Sequence, residues 1–87
     1  MWYMILGADA PDSLPRRKIA RADHLQRLTQ LRDAGRLLIA GPLPAIDCTD
    51  PGPNGFTGSL VVAEFDSLQA ARDWANADPY VHSGVFA

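Results

Sequence analysis

The sequence predicts an α+β fold of the ferredoxin-like kind: β-α-β-β-α-β, with a four-stranded antiparallel sheet and two helices on one face. Three observations carry that expectation. Apolar runs at 2–6, 36–42 and 59–65 are short and rich in aromatic, leucine and valine residues, as strands are. Two stretches of helical spacing, near 23–34 and 66–78, fall between the first two runs and after the third. At 87 residues, 47% hydrophobic and with mixed charges, the chain suits one domain with a modest core, spanning 1–87.

The first strand, "WYMIL", ends at Gly7. Residues 8–20 are expected to be irregular, because Pro11 and Pro15 interrupt any helix. The first helix is expected to open at Asp23, whose spacing to Gln26 is that of a capping box. Leu25, Leu28 and Leu31 form its apolar face, and Gly35 stops it. "RLLIAGP" is the second strand. Residues 43–57 hold three prolines and two glycines and form a long loop. "SLVVAEF" is the third strand. Asp66, again three residues before a glutamine, opens the second helix, with Leu68, Ala71, Trp74 and Ala75 on its apolar face. Pro79 ends that helix, since the residue before a proline is driven out of the helical region. Residues 84–87 begin a fourth strand.

These strands do not alternate apolar with polar. Tyr3 and Ile5 are apolar, and so are Trp2, Met4 and Leu6; Leu60 and Val62 face one way, Val61, Ala63 and Phe65 the other. Both faces of the sheet therefore call for burial, and one pair of helices covers one face. A homodimer packed sheet to sheet supplies the second cover.

Composition removes several classes of function. The net charge is −2, with no basic run, so nucleic acid is not an expected partner. No apolar run has membrane-spanning length and no signal peptide is visible, so neither a membrane nor a secretory route is expected. Cys48 is the single cysteine and fits a reducing cytoplasm; alone in a loop, it reads as incidental. There is no H-E-x-x-H, no cysteine pair, no phosphate loop and no dinucleotide fingerprint, so no metal and no cofactor is expected. Ser13, Ser59, Ser67 and Ser83 lack a nucleophile-elbow context.

What remains is acid–base chemistry, and topology brings its parts together. One end of the sheet collects residues 7–24, the loop after Gly41 and residues 76–84. His24, Asp78, Arg21, Gly41, Pro42 and Tyr80 all fall at that end. His24, expected in the first turn of its helix, gains a fixed tautomer if Asp78 holds it, and can then pass a proton. The plainer reading of Asp78 is a helix stop, and of His24 and Arg21 a solvated helix surface. In the functional reading Arg21, Gly41, Pro42 and Tyr80 bind a small-molecule ligand, with Arg21 suited to an anion.

"RADHL" (21–25), "LRDAGRLLIAGP" (31–42), "GFTGSLVVAEFDSLQAARDWANADPY" (55–80) and "SGVF" (83–86) together resemble the YciI-like, YCII-related family over nearly the whole chain. The resemblance implies a dimeric α/β barrel, similar to cofactor-free enzymes such as muconolactone isomerase. The family includes a dehydrochlorinase acting on a chlorinated hydroxyhydroquinone. Its proposed centre is a His/Asp pair, and the matching positions are His24 and Asp78. Family members continue beyond the "GVF" motif, so the fourth strand is expected to be very short, missing or supplied by a partner. His82 has no place in the pattern. Two functions follow: a small lyase, isomerase or hydrolase using His24 and Asp78, or a non-catalytic homodimer that binds a small molecule or accompanies another enzyme.

Overall fold

The computed structural model describes residues 1–87. The elements are β1 (Trp2–Ala8), α1 (Leu14–Asp33), β2 (Leu37–Pro44), β3 (Phe56–Glu64), α2 (Leu68–Asn76) and α3 (Pro79–His82), with a 3₁₀ turn at Gly52–Asn54. The fold is α+β, and its antiparallel sheet has three strands in the order β1-β3-β2. No helix is long and apolar enough to cross a membrane.

Residues 84–87 do not form the expected fourth strand. They make one antiparallel bridge, Asp9 with Phe86. Its flanking bonds run from Ala10 N to Val85 O (2.7 Å) and from Ala87 N to Ala8 O (2.8 Å). Asp9 N donates instead to Thr57 O on β3, so the C-terminal segment lies along the other edge of β1. α3 takes residues 79–82, and the segment after it meets β1 through this one bridge.

The first helix starts far earlier than Asp23. Pro15 lies in its first turn, where the missing N–H would have had no partner and the fixed φ suits the helix. Proline is here the start of the helix and not its barrier. Asp23 and Gln26 sit mid-helix and are no capping box. Gly35 adopts φ 70° just beyond the end, as expected. The second helix is capped by Ser67, whose hydroxyl accepts from Ala70 N at 3.1 Å. Gln69 turns the other way and donates to Asp73 (2.8 Å).

The two sheet faces differ as the pleat requires. The inner face pairs Ile5 with Val61 and Tyr3 with Ala63, and packs on Leu28 and Leu31 of α1 and Ala71 of α2. Each large apolar side chain fully buried there contributes about 1.5–3 kcal/mol. The outer face carries Trp2, Met4 and Leu6, whose exposures are 50%, 68% and 61%. Ile39, opposite Val62, joins them at 55% exposed, and Leu38 protrudes at a bulge. Leu25 and Leu68, expected on buried helix faces, are exposed.

A second, smaller core holds Ala20, Tyr80 and Val85, with Phe86 against it. Along α1 the buried positions run Arg17, Ala20, His24, Leu28 and Leu31. His24 thus lies between the two apolar clusters, in a buried layer that also holds Ser59 and Asp78.

Candidate active site

The spacing 17, 20, 24, 28, 31 is one face of a helix, so α1 aims His24 at the sheet from near its middle, not from its first turn. Asp78 reaches it from the α2–α3 junction. The second helix ends at Asn76, and Asp78 is the extended N-cap of α3, with Pro79 behind it. Its Oδ1 accepts from Tyr80 N (2.9 Å), which fixes the carboxylate independently of the histidine. A short helix start, not a helix stop, orients Asp78.

His24 Nδ1 lies 2.8 Å from Asp78 Oδ1, and both residues are buried. Arg27 Nη1 donates to Asp78 Oδ2 (3.1 Å), and its Nη2 donates to Trp74 O (2.7 Å). The Arg27 guanidinium also lies 4.4 Å from the Trp74 ring centroid. The Tyr80 ring stacks on His24, with centroids 3.9 Å apart and planes at 9°. Arg17 sits near Tyr80 and Phe56, 4.9 and 4.8 Å from their centroids. Its Nε and Nη2 donate to Asp9 (2.8 and 3.2 Å), and Nη2 also reaches Gly58 O and Ser59 Oγ.

Burial is the largest influence on Asp78 and opposes its ionisation. The His24 and Tyr80 N–H hydrogen bonds, with the charges of His24 and Arg27, outweigh it, so the carboxyl lies below its ordinary range. An ionised Asp78 can only accept. Nδ1 therefore carries the proton toward Asp78, and in the neutral ring Nε2 keeps its lone pair. Nε2 has no protein partner and is not sealed from solvent. Burial pushes the Tyr80 phenol up, against the opposing charges of Arg17 and Arg21.

Two cavities meet at His24. One, of about 310 Å³, is bordered by His24, Asp78, Gly7, Trp74 and Phe86. The other, of about 260 Å³, is bordered by His24, Arg17, Arg21, Gly41, Pro42 and Tyr80. All six expected residues gather at one end of the sheet. His24, Asp78 and Tyr80 touch; Arg21, Gly41 and Pro42 share a cavity with His24 that Asp78 does not border. Cys48 is exposed in the loop after β2, and His82 is exposed on α3.

Arg17 and Arg27 went unnoticed in the sequence. Counting back seven residues from His24 reaches Arg17 and forward three reaches Arg27, so helical spacing held the signal. Reading 8–20 as irregular hid the first of them.

The model of the YCII-related domain matches residues 1–87. The chain belongs to the YCII-related family. Protein YciI of Escherichia coli O6:H1 is 58% identical over 86 residues, covering 99% of this chain and 88% of that protein. An uncharacterized protein of Haemophilus influenzae is 54% identical over 87 residues, covering 100% and 89%. Among solved structures, the 5-chloro-2-hydroxyhydroquinone dehydrochlorinase TftG from Burkholderia phenoliruptrix AC1100, in complex with 2,5-dihydroxybenzoquinone, superposes with a TM-score of 0.85. It is 32% identical, and the match covers 100% of this chain and 86% of that one. The chain thus shares its α+β fold with this structural neighbour, which is an enzyme acting on a small molecule.

Proposed function

We propose that this protein is a cofactor-independent enzyme that moves a proton on a small metabolite, with His24 as general base and acid and Asp78 as its orienting carboxylate. One observation carries the reading: Nδ1 of a buried histidine is held 2.8 Å from a buried carboxylate, and Nε2 is left without a protein partner. That geometry lets Nε2 take a proton from substrate or from water, while Asp78 stabilises the imidazolium that forms. The proton's return decides the reaction class. Given to a departing group it completes an elimination, as a lyase requires; given back at another atom it completes an isomerisation; taken from water it supports hydrolysis. The likeness to a dehydrochlorinase supports elimination among these.

The working unit in this proposal is a homodimer packed sheet to sheet. The support is the outer face, where Trp2, Met4 and Leu6 on β1 and Ile39 on β2, the two strands flanking β3, are all at least half exposed.

The test is a panel of hydroxylated and chlorinated ring compounds, including 5-chloro-2-hydroxyhydroquinone, followed by NMR in deuterium oxide. The expected result is deuterium exchange or chloride release that falls about 10²–10⁴-fold in His24→Gln. Equal turnover by wild type and His24→Gln removes the histidine from catalysis. Binding without any turnover in the wild type supports a non-catalytic, ligand-binding protein instead.

A further inference from the structure

The cavity on the Tyr80 side of His24 carries an unbalanced charge. Of the cations near the site, Arg17 is paired with Asp9 and Arg27 with Asp78. Arg21 belongs to none of the chain's four ion pairs. No aspartate or glutamate borders the cavity, whose polar lining is Arg17, Arg21, His24, Ser59 and Tyr80.

The donors at its wall are also unsatisfied. Arg17 spends Nε and Nη2 on Asp9, Gly58 and Ser59, while Nη1 has no acceptor and is not sealed from solvent. Tyr80 is 1% exposed overall, and its hydroxyl, near the Arg17 side chain, is not among the sealed atoms. Arg17 lies 4.9 Å from the Tyr80 ring centroid, and Arg21 borders the same cavity. The remaining wall is apolar, with Leu25, Leu28 and Val61. At about 260 Å³ the cavity lies just below the usual range of ligand sites, the size for a single ring.

We infer that this cavity recognises a small, single-ring monoanion, with its carboxylate or ring oxyanion held by Arg21 and by the free Nη1 of Arg17, and its ring against the leucines. Arg21 supplies the uncompensated charge, and buried Arg17, fixed by Asp9, supplies direction. An anion so placed shares a cavity with His24, which makes this the specificity site for the proton transfer. The inference rests on the catalytic reading only for that last role; the anion site itself is measured by binding.

The experiment is an NMR titration of the wild-type protein with 2-hydroxybenzoate and, separately, with its neutral amide 2-hydroxybenzamide, at low and high salt. The anion is expected to bind at least tenfold more tightly than the amide, to weaken as salt rises, and to shift resonances of Arg21, His24 and Tyr80. Arg21→Gln, an exposed helix substitution, is expected to weaken the anion about tenfold to a hundredfold and leave the amide unchanged; Arg21→Lys recovers part of the loss. Arg17→Gln is expected to lower anion affinity too, with circular dichroism checking its fold. Equal affinity for the two compounds, absence of saturable binding by the anion, or anion affinity unchanged in Arg21→Gln overturns the inference. If wild type shows no proton transfer while Arg21-dependent anion binding persists, the catalytic reading fails and the anion site stands. If turnover depends on His24 while anion and amide bind alike, only the anion site fails.

Discussion

Removing the Asp78 side chain tests the central contact most directly, because three groups converge on one carboxylate. Asp78→Ala deletes the N-cap bond to Tyr80 N, a loss of about 1 kcal/mol. It strands the buried Nδ1 donor of His24, at about 1–3 kcal/mol. The Arg27 contact is less buried on the arginine side and adds about 0–1 kcal/mol. The sum is about 2–5 kcal/mol, against a total stability of about 4–13 kcal/mol for a domain of 87 residues. Asp78→Asn keeps the volume, the cap and one acceptor, so it is expected to cost about 1–3 kcal/mol. Urea unfolding followed by tryptophan fluorescence measures both. The pH dependence supplies an independent sign. The Asp78 carboxyl is depressed in the folded state, so its charge stabilises the fold above the ordinary value of 3.8 and that contribution is lost as pH falls through the lower folded value. The gap between wild type and Asp78→Asn is therefore flat near neutrality and closes only in acid below 3.8. An Asp78→Ala variant within 1 kcal/mol of wild type refutes the energetic reasoning, as does a gap that closes already near pH 6.

Tyr80 gives the mirror case at the alkaline end. Its phenol is raised when folded, so its contribution is complete below 10.0 and is lost as pH rises toward and through the folded value. Tyr80→Phe is expected to flatten that alkaline loss, seen by thermal unfolding between pH 9 and 11. Gly58→Ala places a Cβ against the Gly7 carbonyl oxygen inside the β1–β3 ladder, where backbone has no room to yield. A loss of about 1–3 kcal/mol is expected. Gly41→Ala meets nothing within 4 Å and is expected to stay within about 0.5 kcal/mol, so equal unfolding midpoints for the two variants contradict the packing described. Met4→Lys puts a charge in the exposed apolar face, and sedimentation velocity is expected to show a dimer for wild type and a monomer for the variant. A wild type that sediments as a monomer at micromolar concentration sinks the dimer proposal.

The strands and the two longer helices were legible because apolar period and turn residues are local signals. The pairing of His24 with Asp78 was also within reach, since strand order brings residues 24 and 78 to one end of the sheet. Local signals failed where one residue type serves opposite ends of a helix. Pro15 reads as a breaker but begins α1, and Asp78-Pro79, which does follow the end of α2, also opens α3. The unread start of α3 concealed how the carboxylate is oriented; the misplaced start of α1 concealed Arg17.

The sequence by itself determined the family, the α+β element order through α2 and the two-sided apolar sheet, because these depend on residue type and spacing along the chain. Only the tertiary structure decided that His24 separates two cavities, that Arg27 shares its carboxylate, and that the C-terminal segment makes a bridge and not a strand. Those outcomes depend on which polar groups find partners across 51 residues of chain or more, and hydrogen-bond satisfaction at that range is a property of the packed layers, not of any stretch of sequence.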